Sequence, residues 1–267
     1  MIVVPPGWDI VSRSTNPLDK VQVICKDSKG RLQYIYHPVW TAIQKELKFY
    51  KLNDLVKRMR CIPRNPPMSD TEVWLIKLML YTNIRIGSEC YAKDNNSYGI
   101  TTILPKHVTF EKGGKTCTLR FKGKSGVPWN CEITNGGLVN FIRHKYDNVT
   151  KRRDPLFSPA TAGTVRRVFK GLLGRDATPK NLRTYKANEK LFDCLTKEQR
   201  KLDSGDVSES VLKGAYNRSI QKVAVAMNHT TAVCKKEYIN PDIISLWIKS
   251  PQRFNGSFRA FIASIIS

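Results

Sequence analysis

The stretch Ile62-Pro63-Arg64-Asn65-Pro66-Pro67-Met68 separates two parts of the chain that differ in their hydrophobic patterning. Its prolines lack a backbone donor, and each one disfavours helix at the residue before it. Regular structure is therefore expected to stop here. We place a domain boundary at this stretch and predict two domains, residues 1–67 and 68–267.

The residues before this boundary carry strand patterns followed by a helical pattern. Segments 21–25 and 32–36 predict two short strands, and the turn signal Asp27-Ser28-Lys29-Gly30 between them predicts a hairpin. A helix is predicted from about Thr41 to Arg60. The first domain is therefore expected to be small and β-rich.

The residues after the boundary are mainly helical in pattern, with a small sheet inserted early. The predicted strands are 108–112, 116–122 and 127–134, and the main predicted helices are 162–173, 179–195 and 208–227. Glycine-rich turns separate the three strands, which favours an antiparallel arrangement. We therefore predict an α+β protein whose larger domain is mainly α-helical, with a three-stranded antiparallel sheet.

Charge is the most unusual property of the composition. The 267 residues include 45 Lys and Arg against 22 Asp and Glu, which gives a net charge of +23 at pH 7. The hydrophobic content of 41% is ordinary for a folded protein, so disorder does not explain the basicity. This excess of cations predicts a polyanionic partner.

The sequence carries no signal for secretion or membrane insertion. The first apolar residues have no basic region before them and end at Pro5 and Pro6. No apolar run approaches the roughly 20 residues that a membrane-spanning helix needs. The seven cysteines form no CxxC pair, which argues against a disulfide framework and a zinc ribbon. We predict an intracellular protein with reduced thiols and no membrane contact.

Common catalytic motifs are absent. The string Gly123-Lys124-Ser125 is not a phosphate-binding loop, because that motif requires glycine at position 118, where this chain has threonine. There is no HExxH or GxSxG motif, and the four histidines have no metal-ligand spacing. We therefore predict no metal site and no nucleotide cofactor.

What remains is a set of cations in particular contexts, followed by one histidine and one tyrosine. Taken singly, each has an ordinary structural interpretation: an exposed charge, a hydrogen-bonded histidine or a tyrosine that packs at a turn. Their order along the chain distinguishes them. The candidate catalytic residues are Arg85, Lys124, Lys180, Arg183, His229 and Tyr238.

These residues and their contexts resemble the type IB DNA topoisomerases, in particular the small poxvirus-like and bacterial forms. The similarity also covers SYGITTILPKHV at 97–108 and DSKGRLQYIYHPVW at 27–40. It spans about residues 27–243, and six positions in the correct order make it specific. The matching motifs are IRIGSE with Arg85, FKGKSG with Lys124, KNLRTYKAN with Lys180 and Arg183, MNHTTAVCKKEY with His229, and EYINPDI with Tyr238.

The resemblance implies that supercoiled DNA is relaxed by transient cleavage of one strand. Tyr238 would attack a backbone phosphodiester to form a 3′-phosphotyrosyl link, and the released 5′-hydroxyl strand would rotate and rejoin. Arg85, Arg183 and His229 would stabilise the charge on the nonbridging oxygens. Lys124 would protonate the leaving 5′-oxygen, assisted by Lys180. One phosphodiester replaces another, so neither ATP nor a divalent metal is expected to be required.

The resemblance also implies contacts with double-stranded DNA outside the reaction centre. Gln33, Tyr34 and Tyr36 match DNA-contacting positions of the N-terminal domain, and Tyr91 matches a major-groove contact. The two domains would form a clamp around DNA, and the protein would act as a monomer located with DNA, either in a virus or in a bacterial nucleoid. Ser88 departs from the poxvirus pattern, which has lysine there, so the poxvirus cleavage preference is not implied.

Two alternatives stay open. A tyrosine recombinase shares the order of catalytic residues, but its usual pattern has histidine three residues before the second arginine, where this chain has Lys180. A catalytically inactive basic DNA-binding protein would have the same composition, because a net charge of +23 favours phosphate binding in either case. The complete set of six candidate residues favours the topoisomerase.

Overall fold

The structure, a computed structural model, describes residues 2–202 and 207–266. The chain divides into a smaller unit, Met1–Lys51, and a larger unit, Leu52–Ser267. Helix α1 (Pro38–Arg58) crosses this division. The division therefore lies before the predicted boundary at residue 67.

The burial of apolar side chains explains where the chain divides. Near the end of α1, Leu52, Leu55 and Val56 are buried in the core of the larger unit. The chain thus joins that core before it reaches the prolines. Those prolines interrupt regular structure, as the sequence predicts, but they do not mark where the two cores separate. The assignment of residues 1–67 as a DNA-clamping domain stays a prediction.

A three-stranded antiparallel sheet forms the first part of the smaller unit, in the order β1 (Asp9–Arg13), β2 (Val21–Lys26) and β3 (Leu32–Tyr36). The predictions for β2 and β3 are confirmed. The sequence did not predict β1, because all five of its residues are exposed and it lacks the alternation of a half-buried strand.

The larger unit is mainly helical, as predicted. Its short 3-10 turns lie at Met59–Cys61, Ile100–Thr102, Pro105–His107, Lys124–Gly126 and Pro251–Arg253. Its remaining helices are α2 (Thr71–Thr82), α3 (Glu89–Asn95), α4 (Gly136–Asp147), α5 (Ala162–Leu173), α6 (Pro179–Gln199), α7 (Glu209–Ala226), α8 (Thr231–Glu237), α9 (Asp242–Lys249) and α10 (Phe258–Ile266).

The predicted second sheet is also present in the larger unit. Its strands are β4 (Val108–Phe110), β5 (Cys117–Lys122) and β6 (Pro128–Ile133), paired antiparallel in that order. The tip between β5 and β6 is closed by a hydrogen bond from the Gly123 N–H to the Val127 carbonyl, 2.8 Å long. A Cβ at Gly123 would lie 2.6 Å from the Trp129 ring, so glycine is required at this close approach.

Aromatic packing fixes the helix that carries the second candidate arginine. Phe192 of α6 packs against Phe254, Phe258 and Phe261, with ring centroids 4.8–5.8 Å apart. Such aromatic contacts add to the free energy gained from burying the rings. The C-terminal segment therefore holds α6 in place, and α6 in turn supports the candidate site.

Candidate active site

Arg85 lies just beyond the end of α2, where the chain changes direction. Asn83 ends the helix in the left-handed conformation, with φ 60°, and its N–H donates to the Met79 carbonyl. The Arg85 carbonyl accepts the Ile100 N–H at 2.8 Å. A Cβ at Gly99 would lie 2.6 Å from that carbonyl oxygen, so glycine allows the segment after α3 to brace the backbone of Arg85.

Arg183 projects from the first turns of α6 and is only 4% exposed. Its Nη2 donates to the Met227 carbonyl and to His229 Nε2, both at 3.0 Å. Burial lowers the pKa of Arg183, the charge of Arg85 lowers it further, and Tyr238 partly opposes the shift. Nε and Nη1 make no hydrogen bond of good geometry to any described residue. Arg183 thus keeps two buried donors that a charged ligand could use.

His229 lies in the turn that ends α7, and this turn is a Schellman motif. Its N–H donates to the Ala224 carbonyl, and the Asn228 N–H donates to the Val225 carbonyl. His229 Nε2 lies 3.2 Å from Arg85 Nη2 and 3.0 Å from Arg183 Nη2. Arginine only donates, so Nε2 accepts both bonds and the ring proton is on Nδ1. His229 therefore holds the two guanidinium groups close together, because both donate to the same ring nitrogen.

The environment keeps His229 neutral. Burial lowers its pKa to about 4, and the charges of Arg183, Arg85 and Lys124 act in the same direction. His107 in the larger unit behaves similarly, because burial lowers its pKa to about 4 as well. Both histidines are thus uncharged in the folded protein at neutral pH.

We expect acidification from pH 7 to pH 5 to destabilise the fold. Between about pH 6.5 and 4, His229 and His107 bind protons in the unfolded chain but not in the folded one, so stability falls as the pH falls. Each histidine should contribute on the order of 1 kcal/mol after allowance for solvent screening. Urea unfolding at both pH values measures this loss. His229→Gln should reduce it, and an unchanged midpoint in the wild type would contradict the expectation.

Tyr238 closes α8 and is only 6% exposed. Its ring centroid lies 5.1 Å from that of His229 and 5.6 Å from Arg183 Cζ. The hydroxyl-bearing ring of the candidate nucleophile therefore packs directly against two of the predicted catalytic side chains. Together with Arg85, these residues form one cluster from four separate segments of the chain.

Asn188 of α6 is a site residue that the sequence reasoning missed. Its fully buried amide donates from Nδ2 to the Tyr238 carbonyl at 2.8 Å and accepts the Asn240 N–H on Oδ1 at 2.9 Å. It thereby holds the backbone on both sides of Ile239. The sequence does carry a signal for Asn188. Its spacing of four residues from Thr184 and three from Leu191 places a polar amide on the buried face of the helix, where it must find hydrogen-bond partners.

Lys124 lies at the exposed tip between β5 and β6, as the hairpin pattern predicts. Ser125 and Gly126 form this tip with φ values of 62° and 79°. Lys124 does not touch the arginine–histidine cluster through a recorded hydrogen bond among the described residues. Its charge lowers the pKa of His229. A hydrogen bond of 2.9 Å from Asn228 Nδ2 to the Pro128 carbonyl also joins the hairpin to the turn that carries His229.

Lys180 occupies a different position from the other candidates. It lies in the first turn of α6, is largely exposed, and pairs with Glu237 at 3.6 Å. Glu237 directly precedes Tyr238 in the chain. The structure therefore brings Lys180 beside the segment of the nucleophile, while its predicted assistance to proton transfer stays untested.

The predicted DNA-contacting residues are exposed or half-buried. Tyr91 is exposed on α3 of the larger unit. In the smaller unit, Tyr34 and Tyr36 alternate with half-buried residues along β3 and share its exposed face. Gln33 points to the other face, where its Nε2 donates to Asp27 at 2.9 Å. The three predicted contacts of β3 therefore do not share one face.

The described residues form neither a metal-binding cluster nor a membrane-spanning helix. Residues 2–202 and 207–266 contain no group of three or more His, Cys, Asp or Glu side chains that could hold a metal ion. None of the helices described in those ranges has both the length and the apolar character to cross a membrane.

Comparison with known proteins identifies the class to which this cluster belongs. The family of the eukaryotic DNA topoisomerase I catalytic core matches residues 45–246. The chain therefore belongs to this family, and it is a type IB DNA topoisomerase of the poxvirus-like kind. The family prediction made from the six candidate residues and their motifs is confirmed.

Its relatives include viral enzymes. A DNA topoisomerase 1B of Acanthamoeba polyphaga mimivirus is 28% identical over 94% of this chain and 79% of its own length. A DNA topoisomerase 1B of vaccinia virus is 22% identical, and a DNA topoisomerase I of monkeypox virus is 24% identical. Both of these alignments cover 86% of this chain and 73% of the relative.

Proposed function

We propose that this protein relaxes supercoiled DNA through a 3′-phosphotyrosyl intermediate, strand rotation and religation. The observation that carries the proposal is the packing of Tyr238 against His229 and Arg183, with Arg85 bound to the same histidine. A nucleophile in contact with one guanidinium group, with a second guanidinium bonded to the neighbouring histidine, suits attack on a phosphodiester. Because one phosphodiester is exchanged for another, the reaction needs no ATP, and the cations replace a divalent metal.

The two arginines bind the phosphate during the attack. The Nε and Nη1 groups of Arg183 are buried donors on different edges of the guanidinium, and each is suited to donate a charge-assisted hydrogen bond to a phosphate oxygen. Arg85, which is hydrogen-bonded to the same histidine, supplies a second positive charge to the phosphate. The Tyr238 Oη–P bond forms, negative charge increases on the nonbridging oxygens, and the phenolic proton passes to water.

His229 changes its hydrogen bonds as the phosphate binds. When the Arg85 and Arg183 donors turn to the phosphate, Nε2 no longer needs to accept from them. The neutral ring then takes the tautomer with the proton on Nε2 and donates to a nonbridging oxygen. The low pKa of His229 supports this role, because a neutral imidazole can donate or accept without gaining charge.

Lys124 is the proton donor for the leaving group. As the P–O5′ bond breaks, a proton from the Lys124 ammonium passes to the 5′-oxygen, which would otherwise leave as an unstable alkoxide. The exposed hairpin tip lets this side chain reach a strand that lies over the cluster. Lys180, paired with Glu237, assists from the side of the tyrosine.

Double-stranded DNA is the proposed partner, and the protein acts as a monomer that closes around the duplex. Tyr34 and Tyr36 contact DNA from the exposed face of β3, and Tyr91 contacts it from α3. Gln33 contributes from the other face of the strand. The protein is thus expected where DNA is located within a cell or virus-infected cell.

A relaxation assay on a plasmid tests this function. The protein should relax a negatively supercoiled plasmid in the presence of EDTA and in the absence of ATP. A tyrosine recombinase would need paired target sites, and an inactive binding protein would shift the plasmid on a gel without relaxing it. Either of those two results would overturn the proposal.

We expect Lys124→Ala to slow strand cleavage by about 100-fold, because general acid catalysis contributes that much or more. A DNA substrate with a bridging sulfur at the 5′ position should restore the rate, since a thiolate leaves without protonation. Single-turnover formation of the covalent adduct on both substrates measures the effect. Lys106→Ala, at an exposed lysine outside the cluster, is the matched control. Failure of the sulfur to rescue Lys124→Ala would exclude the role as proton donor.

A further inference from the structure

A hydrogen bond joins the turn that carries His229 to the hairpin that carries Lys124. Asn228 Nδ2 donates to the Pro128 carbonyl at 2.9 Å, although the two residues are 100 positions apart in the chain. Asn228 directly precedes His229, and Pro128 is the first residue of β6. This bond therefore connects the phosphate-binding cluster with the strand that follows the proposed proton donor.

Strand pairing and a backbone hydrogen bond link Pro128 to the loop that carries Lys124. The Gly123 N–H donates to the Val127 carbonyl, and Pro128 lies opposite Lys122 in the pairing of β5 with β6. The loop between these pairs contains only a few residues. The hydrogen bond at Pro128 thus restricts where the backbone of Lys124 can lie, while the lysine side chain stays exposed.

The conformation of Asn228 gives a second reason to assign it a role. It occupies the left-handed position of the Schellman turn with φ 53°, where glycine is the residue without a steric cost. Asparagine tolerates this conformation and, unlike glycine, carries an amide that can donate. Here that amide makes the only recorded side-chain bond between this turn and the hairpin within the described part of the chain.

We propose that Asn228 is a positioning residue for proton transfer, because its amide holds the Lys124 hairpin beside the His229 turn. The inference rests on the proposed function. In the cleavage step the Tyr238 Oη–P bond forms, the P–O5′ bond breaks, and the Lys124 ammonium gives its proton to O5′. Asn228 touches none of these atoms and acts through the position of Lys124.

The test compares Asn228→Gly with the wild type on two DNA substrates. Glycine keeps the left-handed turn without strain and removes only the amide. On ordinary DNA, adduct formation should be about tenfold slower, because a small misplacement of a catalytic group costs at least that much. On DNA with a 5′-bridging sulfur, which needs no proton, the variant should match the wild type. Equal slowing on both substrates, or no slowing on either, would overturn the proposal.

Two further variants make the result specific. Asn228→Asp keeps the size of the side chain but places an acceptor against the Pro128 carbonyl, so it should slow cleavage on ordinary DNA at least as much as Asn228→Gly does. Asn96→Gly is the matched control, because Asn96 ends α3 with φ 48°, is exposed, and forms no recorded bond to the hairpin among the described residues. It should behave as the wild type on both substrates.

The same experiment separates this inference from the proposed function. A wild type that forms no adduct contradicts the function itself. If sulfur does not rescue Lys124→Ala, Lys124 is not the proton donor. Asn228 then has no proton donor to position. If the 5′-bridging sulfur rescues Lys124→Ala but does not rescue Asn228→Gly, only the positioning role of Asn228 is overturned.

Discussion

Tyr238→Phe is expected to abolish both plasmid relaxation and the covalent protein–DNA adduct, while noncovalent duplex binding stays within a few-fold of the wild type. Phenylalanine keeps the ring that packs 5.1 Å from His229 and 5.6 Å from Arg183, so the cluster should retain its shape. Only the oxygen that attacks phosphorus is lost.

Three measurements check this expectation: relaxation of supercoiled plasmid, trapping of the adduct by denaturation, and duplex binding by gel shift or fluorescence anisotropy. Tyr81→Phe is the matched control, because this tyrosine is exposed and its hydroxyl binds Thr134 outside the cluster. It should relax DNA at the wild-type rate. Relaxation by Tyr238→Phe at a measurable fraction of that rate would refute the assignment of the nucleophile.

Arg183→Ala is expected to slow strand cleavage by about 10⁴-fold, a loss comparable to that of an arginine that stabilises a phosphoryl-transfer transition state. The change removes the buried donors and also frees Met227 and His229 from their bonds to this side chain. Arg183→Lys should recover little of the rate, because an ammonium cannot contact the phosphate, Met227 and His229 with a planar fork.

The rate of adduct formation at saturating enzyme measures this loss. Thermal unfolding must be measured beside it, since a buried arginine also affects packing. Arg166→Ala, at an exposed arginine of α5, is the control for loss of one positive charge and should change the rate by only a few-fold. An Arg183→Ala protein that is folded and cleaves within about tenfold of the wild type would contradict the proposed role.

Much of the architecture could be predicted because its signals are local. Strands β2, β3 and the β5–β6 hairpin follow from alternation and from turn residues within a few positions. Helices α5, α6 and α7 lie within a few residues of their predicted limits. The catalytic candidates were identified from motifs that occur in a fixed order along the chain. That order identifies the residues but does not show how they are arranged in space.

The parts that could not be predicted depend on distant contacts. Asn188 binds a backbone carbonyl 50 residues away, and Asn228 binds one 100 residues away. In the sequence each is an ordinary polar residue of a helix or helix end. The division within α1 likewise depends on which core receives Leu52, and β1 is held by its pairing with β2 rather than by a pattern of its own.

The three cations around His229 should also bind small anions. Arg183, Arg85 and Lys124 all act on this ring with the same sign. Like charges repel more strongly in a partly buried site than in water, and this repulsion lowers the stability of the folded protein. A divalent oxyanion such as sulfate relieves it and competes for the place of the scissile phosphate. Sulfate should thus raise the melting temperature and weaken DNA binding more than chloride does at equal ionic strength.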